Sequence, residues 1–137
     1  VIIIKENLYY YKAFVEEVTD GDTINVLIDL GFDVKKKETI RLYGIDTPET
    51  RGASDLEEKA ANKVKLHLKE LIEGEEILIS TKKLKEGSFG RYIAEIFFNN
   101  QSINKYLIKN CYARDYFKSA SKTDWDKNKI KDIIEEL

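Results

Sequence analysis

Tyr11-Lys12-Ala13-Phe14-Val15-Glu16-Glu17-Val18-Thr19-Asp20-Gly21-Asp22-Thr23-Ile24-Asn25-Val26-Leu27-Ile28-Asp29 decides the fold. Its first half sets Tyr11, Ala13 and Val15 against Lys12, Phe14 and Glu16, inside a mostly aromatic, β-branched and apolar run over 8–18. Its second half, Thr23 to Asp29, again has apolar residues at period two. Successive side chains of a strand point to opposite faces, so this period marks a half-buried strand. Two such runs around Asp20-Gly21-Asp22 predict a β-hairpin. Working outward, Gly31 and the polar segment 33–38 supply a second turn, and Glu38 to Ile45 reads as a third strand. Residues 1–45 therefore predict a three-stranded antiparallel meander.

A helix follows. Ser54-Asp55-Leu56-Glu57 is a capping box, in which the serine oxygen accepts a backbone N–H and the glutamate reaches back to the cap. Leu56, Ala60, Val64, Leu68 and Leu71 recur at spacings of three and four and make one apolar stripe. Gly74 stands where a left-handed cap is wanted. Ile77-Leu78-Ile79 and Arg91 to Phe98 read as two more strands, the latter ended by Asn99-Asn100. Residues 102–110 predict a short helix, and Thr123 caps a last one carrying Trp125, Ile130, Ile133, Ile134 and Leu137. The pattern is β-rich α+β. A partly open five-stranded barrel plugged by a helix is one architecture that fits, and periodicity alone does not choose it over other small α+β folds.

Composition narrows the chemistry. The chain has 137 residues, 42% hydrophobic and 35% charged, with a net charge of −2. That is one globular domain's worth, taken as 1–137, with a real core. No apolar run exceeds Val1 to Ile4, so nothing predicts a membrane span or a signal peptide. The lack of Met fits a processed or trimmed product. One cysteine, Cys111, excludes an internal disulfide and a thiolate zinc cluster. Having His67 as its one histidine excludes a multi-histidine metal site. Chemistry must rest on carboxylates, arginines, hydroxyls or a borrowed ion. His67 reads as a packing or surface residue, and Cys111 as small and buried or half-buried.

The turns carry the candidates. Asp20 and Asp22 flank Gly21, Asp46-Thr47-Pro48-Glu49 closes the third strand, and Arg41 stands five residues before Asp46. Taken singly, each motif is an ordinary turn. In a meander the end of strand three returns beside the start of strand two, which would bring Asp22 and Asp46 together. Clustered carboxylates without histidine or thiolate suit a hard cation, Ca²⁺ or Mg²⁺.

Together, Val18-Thr19-Asp20-Gly21-Asp22-Thr23, Ile40-Arg41-Leu42-Tyr43-Gly44-Ile45-Asp46-Thr47-Pro48-Glu49-Thr50 and Phe89-Gly90-Arg91 resemble the three signature stretches of the staphylococcal nuclease family. The resemblance covers about residues 10 to 137. It implies a five-stranded OB-fold barrel with three helices. It also implies Ca²⁺-dependent endonucleolytic hydrolysis of DNA and RNA to 3′-phosphates. By resemblance Asp22 and Asp46 are direct Ca²⁺ ligands, Thr47 offers its carbonyl, and Asp20 lies in the outer shell. Glu49 would position or deprotonate the attacking water, while Arg41 and Arg91 would grip the scissile phosphate.

Departures from the family pattern fall on the substrate side. Phe89 stands where a tyrosine often precedes the Gly-Arg pair, keeping a ring but losing a hydroxyl. Two base-flanking tyrosines of the type member align with Arg114 and Tyr116, or, shifted, with Tyr116 and Lys118. Either way one ring becomes a cation.

The charge is unevenly spread. Residues 1–76 carry eleven bases and seventeen acids, while 82–122 carry nine bases, three acids and eight of the fifteen aromatics. Basic residues interleaved with aromatics suit a single strand of DNA or RNA, with the protein acting as a monomer. A solvated face plus core aromatics would give the same count. The rival function is an inactive module on the same fold that binds nucleic acid or protein. An unrelated barrel whose acidic turns are only structural is the third reading. Loss of a leader would favour export or the cell envelope, and a cytoplasmic location is also compatible.

Overall fold

The bulge in the first strand shows how the sequence bends into a barrel. In the computed structural model, which describes residues 8–49, 54–86, 91–116 and 133, strand β1 is Tyr10–Asp20 and β2 is Thr23–Asp29. They pair antiparallel, with register shifts between Val15 and Glu17 and between Val18 and Asp20. Each shift inserts one extra residue in β1, which bends and twists the strand. Ala13, Val15 and Val18 all remain buried, while Glu16 and Glu17 are both exposed. The break in period two at Glu16-Glu17 is the trace of this in the sequence.

Strand β3, Lys35–Leu42, pairs with β2 and starts earlier than the polarity of 33–38 predicts. Its lysines prolong the hairpin in solvent, since backbone pairing does not need a buried face. The turn between them holds Gly31, Phe32 and Asp33 at positive φ, with Phe32 fully exposed. β3 also ends earlier than predicted: Gly44, at φ 75°, turns the chain, and Ile45–Asp46 forms a separate short strand β4.

Helix α1, Asp55–Ile72, begins where the cap predicts, and Ser54 Oγ accepts the Glu57 N–H at 3.2 Å. Ala60, Ala61, Val64, Leu68 and Ile72 are buried, and Leu56 and Leu71 are half-buried. Gly74 follows at φ 80° and donates its N–H to the Val15 carbonyl. Strand β5 runs Glu76–Glu86, well beyond Ile79, because its polar half pairs with strand β6, Arg91–Phe98.

β1 pairs with β5, β5 with β6, and β6 pairs parallel with β3 through Ile40↔Tyr92, Arg41↔Ile93 and Leu42↔Ala94. The strand order β3-β2-β1-β5-β6, closed by that last pairing, is a five-stranded mixed barrel of OB type. Closure leaves none of these five strands with two open edges. After Asn99 and Asn100, both at positive φ, come strand β7, Gln101–Ser102, and helix α2, Ile103–Lys109. Ser102 caps α2 by accepting the Lys105 N–H. A last two-residue strand, β8, Arg114–Asp115, pairs with β4.

The barrel interior is filled by Val15, Ile24, Val26, Ile40, Ile79 and Ile96, with Leu68 and Ile72 of α1 and Ile103 and Leu107 of α2 packed on it. Each such side chain contributes roughly 1.5–3 kcal/mol by leaving water. The predicted third helix and Trp125 lie outside the described residues, except Ile133, which is helical and buried against Ala60 and Val64. Among the described residues no helix is long and apolar enough to cross a membrane.

Asn104 is a polar anchor in this core. It is 3% exposed, accepts the Ile96 N–H at 3.0 Å, and donates to the carbonyls of Tyr43 at 2.8 Å and Ala94 at 3.3 Å. It thereby ties α2 to the turn that aims β4 at the site.

Cys111 is exposed rather than buried or half-buried, because it takes the left-handed position (φ 65°) just after α2, where the chain turns outward. His67 is a packing residue. Its ring stacks on Tyr112 at 4.1 Å, and its Nε2 lies 3.0 Å from the Tyr106 hydroxyl. Burial pushes its pKa below the ordinary 6.5, against a smaller upward pull from Glu70. The neutral form is therefore favoured in the folded state. Its contribution to stability is complete above about pH 6.5 and is lost as pH falls below that value toward the folded pKa. The thermal midpoint should therefore fall more for the wild type than for His67→Phe between about pH 7.5 and about pH 5.5. Equal losses would show that the ring's titration is not linked to folding.

Candidate active site

The turn between β1 and β2 lies against α1 without spare room. A Cβ on Gly21 would sit 2.6 Å from Val64 Cγ1 and 3.3 Å from Thr47 Oγ1. Glycine is needed there for close approach, and this contact fixes the flanking aspartates beside the loop after β4.

Asp22 is held from three sides. Thr47 Oγ1 donates to its Oδ2 at 3.0 Å, Thr23 Oγ1 donates to its Oδ1 at 3.0 Å, and Arg41 Nη2 lies 3.3 Å from Oδ2. The Leu42 N–H donates to the Asp22 carbonyl at 2.8 Å, so the start of β2 and the end of β3 do meet. Arg41 is nearly buried, and its Nη1 also donates to the Leu42 carbonyl. Arg91, at the start of β6, reaches Thr23 Oγ1 at 3.4 Å. Both guanidiniums thus stand on the Asp22 side of the barrel end.

Asp46 is bound by Arg114, which donates from Nε at 2.8 Å and has Nη2 2.7 Å from the same Oδ2. Glu49, in the loop after β4, reaches solvent, and its N–H donates to Glu57 Oε2 at 3.0 Å. Glu57 is 7% exposed. The carboxylate expected to return to the helix cap therefore secures the loop that presents Glu49. The surrounding protein and the negative charges of Asp22, Asp46, Asp20 and Glu57, in that order, raise the Glu49 carboxyl above its usual pKa. Asp22 and Asp46 are the two that a three-stranded meander is expected to bring together.

The structure thus gathers Asp20, Asp22, Arg41, Asp46, Thr47, Glu49 and Arg91 at one end of the barrel. Phe89 lies outside the described residues. Arg114 is engaged with Asp46. Tyr116 is exposed, and its N–H donates to the Gly44 carbonyl, beside exposed Tyr43. Lys82 Nζ stands 5.1 Å from the Tyr43 ring centre. Tyr43, Glu57 and Arg114's pairing escape the sequence reading. Glu57 carried a visible signal, a cap glutamate eight residues after Glu49.

Among the described residues no three His, Cys, Asp or Glu side chains are close enough together to cage an ion. Two arginines hold two of the aspartates. The donor chemistry nonetheless fits a hard divalent cation. It is all oxygen, and the repulsion on Glu49 is what a dication would relieve. Asp22, Asp46 and the Thr47 carbonyl would be the groups to hold it.

Comparison with known proteins identifies the family. The model of the staphylococcal nuclease homologue family matches residues 39–136. An uncharacterized protein of Bacillus anthracis is 33% identical over 103 residues, 74% of this chain and 45% of that protein. Endonuclease YncB of Bacillus subtilis is 27% identical over 100 residues, 72% of this chain and 45% of its own. A probable staphylococcal-like nuclease, CAN2, of Oryza sativa subsp. japonica is 32% identical over 95 residues, 67% of this chain and 24% of its own. The chain spans less than half the length of these relatives. A closed five-stranded barrel with acids and arginines at one end defines a nuclease-like OB domain. The chain belongs to the staphylococcal nuclease homologue family.

Proposed function

We propose that this chain is a Ca²⁺-dependent, sugar-nonspecific endonuclease that hydrolyses phosphodiesters of DNA and RNA to 3′-phosphate products. The observation that carries the reading is the meeting of Asp22, Arg41, Thr47 and Arg91 with the Glu49 loop at one barrel end. Bound Ca²⁺ would supply charge neutralisation at the phosphate and orientation of the water. Glu49 takes the proton of the water that attacks phosphorus. The P–O5′ bond breaks, the departing 5′ oxygen takes a proton from solvent to become a hydroxyl, and the phosphate stays on the 3′ side. Arg41 and Arg91 meet the negative charge that grows on the phosphate oxygens, where planar forks serve better than lysine. Exposed Tyr43 and Tyr116, with Lys82 nearby, favour a single strand stacked through its bases, and the domain is read as acting as a monomer.

The pairing of both metal-site aspartates with arginines favours, as a second reading, an inactive module that binds nucleic acid or protein. Incubating the protein with single-stranded DNA in Ca²⁺ or in chelator separates the two. The nuclease reading expects cleavage in Ca²⁺ alone, and in chelator weak binding that falls steeply with salt. Binding without cleavage in either condition would establish the module.

A further inference from the structure

The acidic cluster carries its own cation. Arg114 places two N–H donors on one oxygen, Asp46 Oδ2, at 2.7–2.8 Å. Both side chains are largely out of water, at 12% and 17% exposure. Their backbones are direct cross-strand partners in the β4–β8 pair, and the Tyr116 N–H to Gly44 carbonyl bond lies beside it. A charge-assisted pair held by the backbone on both sides is stronger than an exposed one. Two donors occupy the lone pairs of Oδ2, so that oxygen cannot serve a metal ion at the same time.

We propose that Arg114 is a built-in competitor for the cation at Asp46, an inference that rests on Asp46 being a metal ligand. Arg114 is then a positioning residue with two opposed effects. Without metal, it neutralises Asp46 and holds it in place beside Asp22 and Glu49. A metal ion at Oδ2 would displace the guanidinium, and one at Oδ1 of the same carboxylate would face its positive charge, so in either place Arg114 lowers the affinity of the site. Two residue pairs make the β4–β8 ladder, a small contact to release. The alignment that puts Arg114 in a base pocket assigns it no such role.

The test is calorimetric titration of the full chain with Ca²⁺, without nucleic acid, for wild type, Arg114→Gln and Arg114→Lys. Thermal midpoints are read in chelator and in excess Ca²⁺. Arg114→Gln should bind Ca²⁺ about tenfold more tightly than wild type. It should melt lower in chelator and gain more from added Ca²⁺. Arg114→Lys, which keeps the charge but loses the fork, should fall between the two. If Arg114→Gln does not fold, Arg114→Lys decides: tighter binding than wild type supports the competitor, and equal or weaker binding overturns it. A folded Arg114→Gln with unchanged or weaker affinity overturns the competitor but leaves Asp46 as a ligand. No uptake of Ca²⁺ by wild type, or unchanged affinity in Asp46→Asn, overturns the ligand reading and this inference with it.

Discussion

Arg91→Ala should lower the rate of phosphodiester cleavage about a thousandfold, and Arg41→Lys by a similar factor. The expectation comes from where the guanidiniums stand. Arg91 Nη1 is 3.4 Å from Thr23 Oγ1, which itself donates to Asp22 Oδ1 at 3.0 Å. Arg41 Nη2 is 3.3 Å from Asp22 Oδ2 on the other side of the same carboxylate. A phosphate drawn to Asp22 through a shared cation would find one fork on each side. Hydroxide attack adds charge to its oxygens, so each fork binds the transition state more tightly than the ground state. Lysine at position 41 keeps the charge but cannot place two parallel donors. Measured kcat should therefore fall far more than KM rises. Ca²⁺ affinity and thermal midpoint are the controls, because Arg41 also holds Asp22 in place. Activity within about tenfold of wild type in either variant would mean that the residue is structural.

The contrast between Arg41 and Arg114 shows what a sequence can convey. Arg41 lies on β3 beside Asp22 at the start of β2, a neighbourhood that follows once strand three returns beside strand two in a meander. Arg114 reaches Asp46 across 68 residues of chain. Nothing local marks that pairing, since it depends on how α2 and β8 return to the barrel. Asn104 is silent for the same reason: its three hydrogen-bond partners, at Tyr43, Ala94 and Ile96, exist only after β6 has docked. Local signals did carry α1, where Ser54, the apolar stripe and Gly74 agree. They understated β5 and the start of β3, where pairing across the sheet, rather than side-chain polarity, sets the strand length. They also missed the end of β3 at Leu42, where Gly44 turns the backbone. The candidate site was legible because its residues cluster in three short stretches of sequence; its internal neutralisation was not.

Glu49→Gln should reduce kcat by about 10²–10⁴-fold with little change in KM. Glutamine has almost the same shape and can keep hydrogen bonds at the loop surface, but it cannot accept the proton of the attacking water. The setting of Glu49 suits that task. Its backbone is fixed by Glu57 Oε2 at 3.0 Å, so the side chain starts from a defined place. In the metal-free protein desolvation, then repulsion from Asp22, Asp46, Asp20 and Glu57, raises the pKa of its carboxyl, and the desolvation share remains when a dication relieves the repulsion. A more basic carboxylate gains more when it takes a proton in the transition state. Steady-state kinetics on single-stranded DNA in saturating Ca²⁺ provides the measurement, with Glu57→Gln as the companion variant. Glu57→Gln keeps an oxygen for the Glu49 N–H, so it should lose much less activity than Glu49→Gln. A Glu49→Gln enzyme that retains wild-type kcat would place the proton acceptor elsewhere. With one histidine in the chain, and that one stacked on Tyr112 against α2, the alternatives reduce to the aspartates of the same cluster or to solvent.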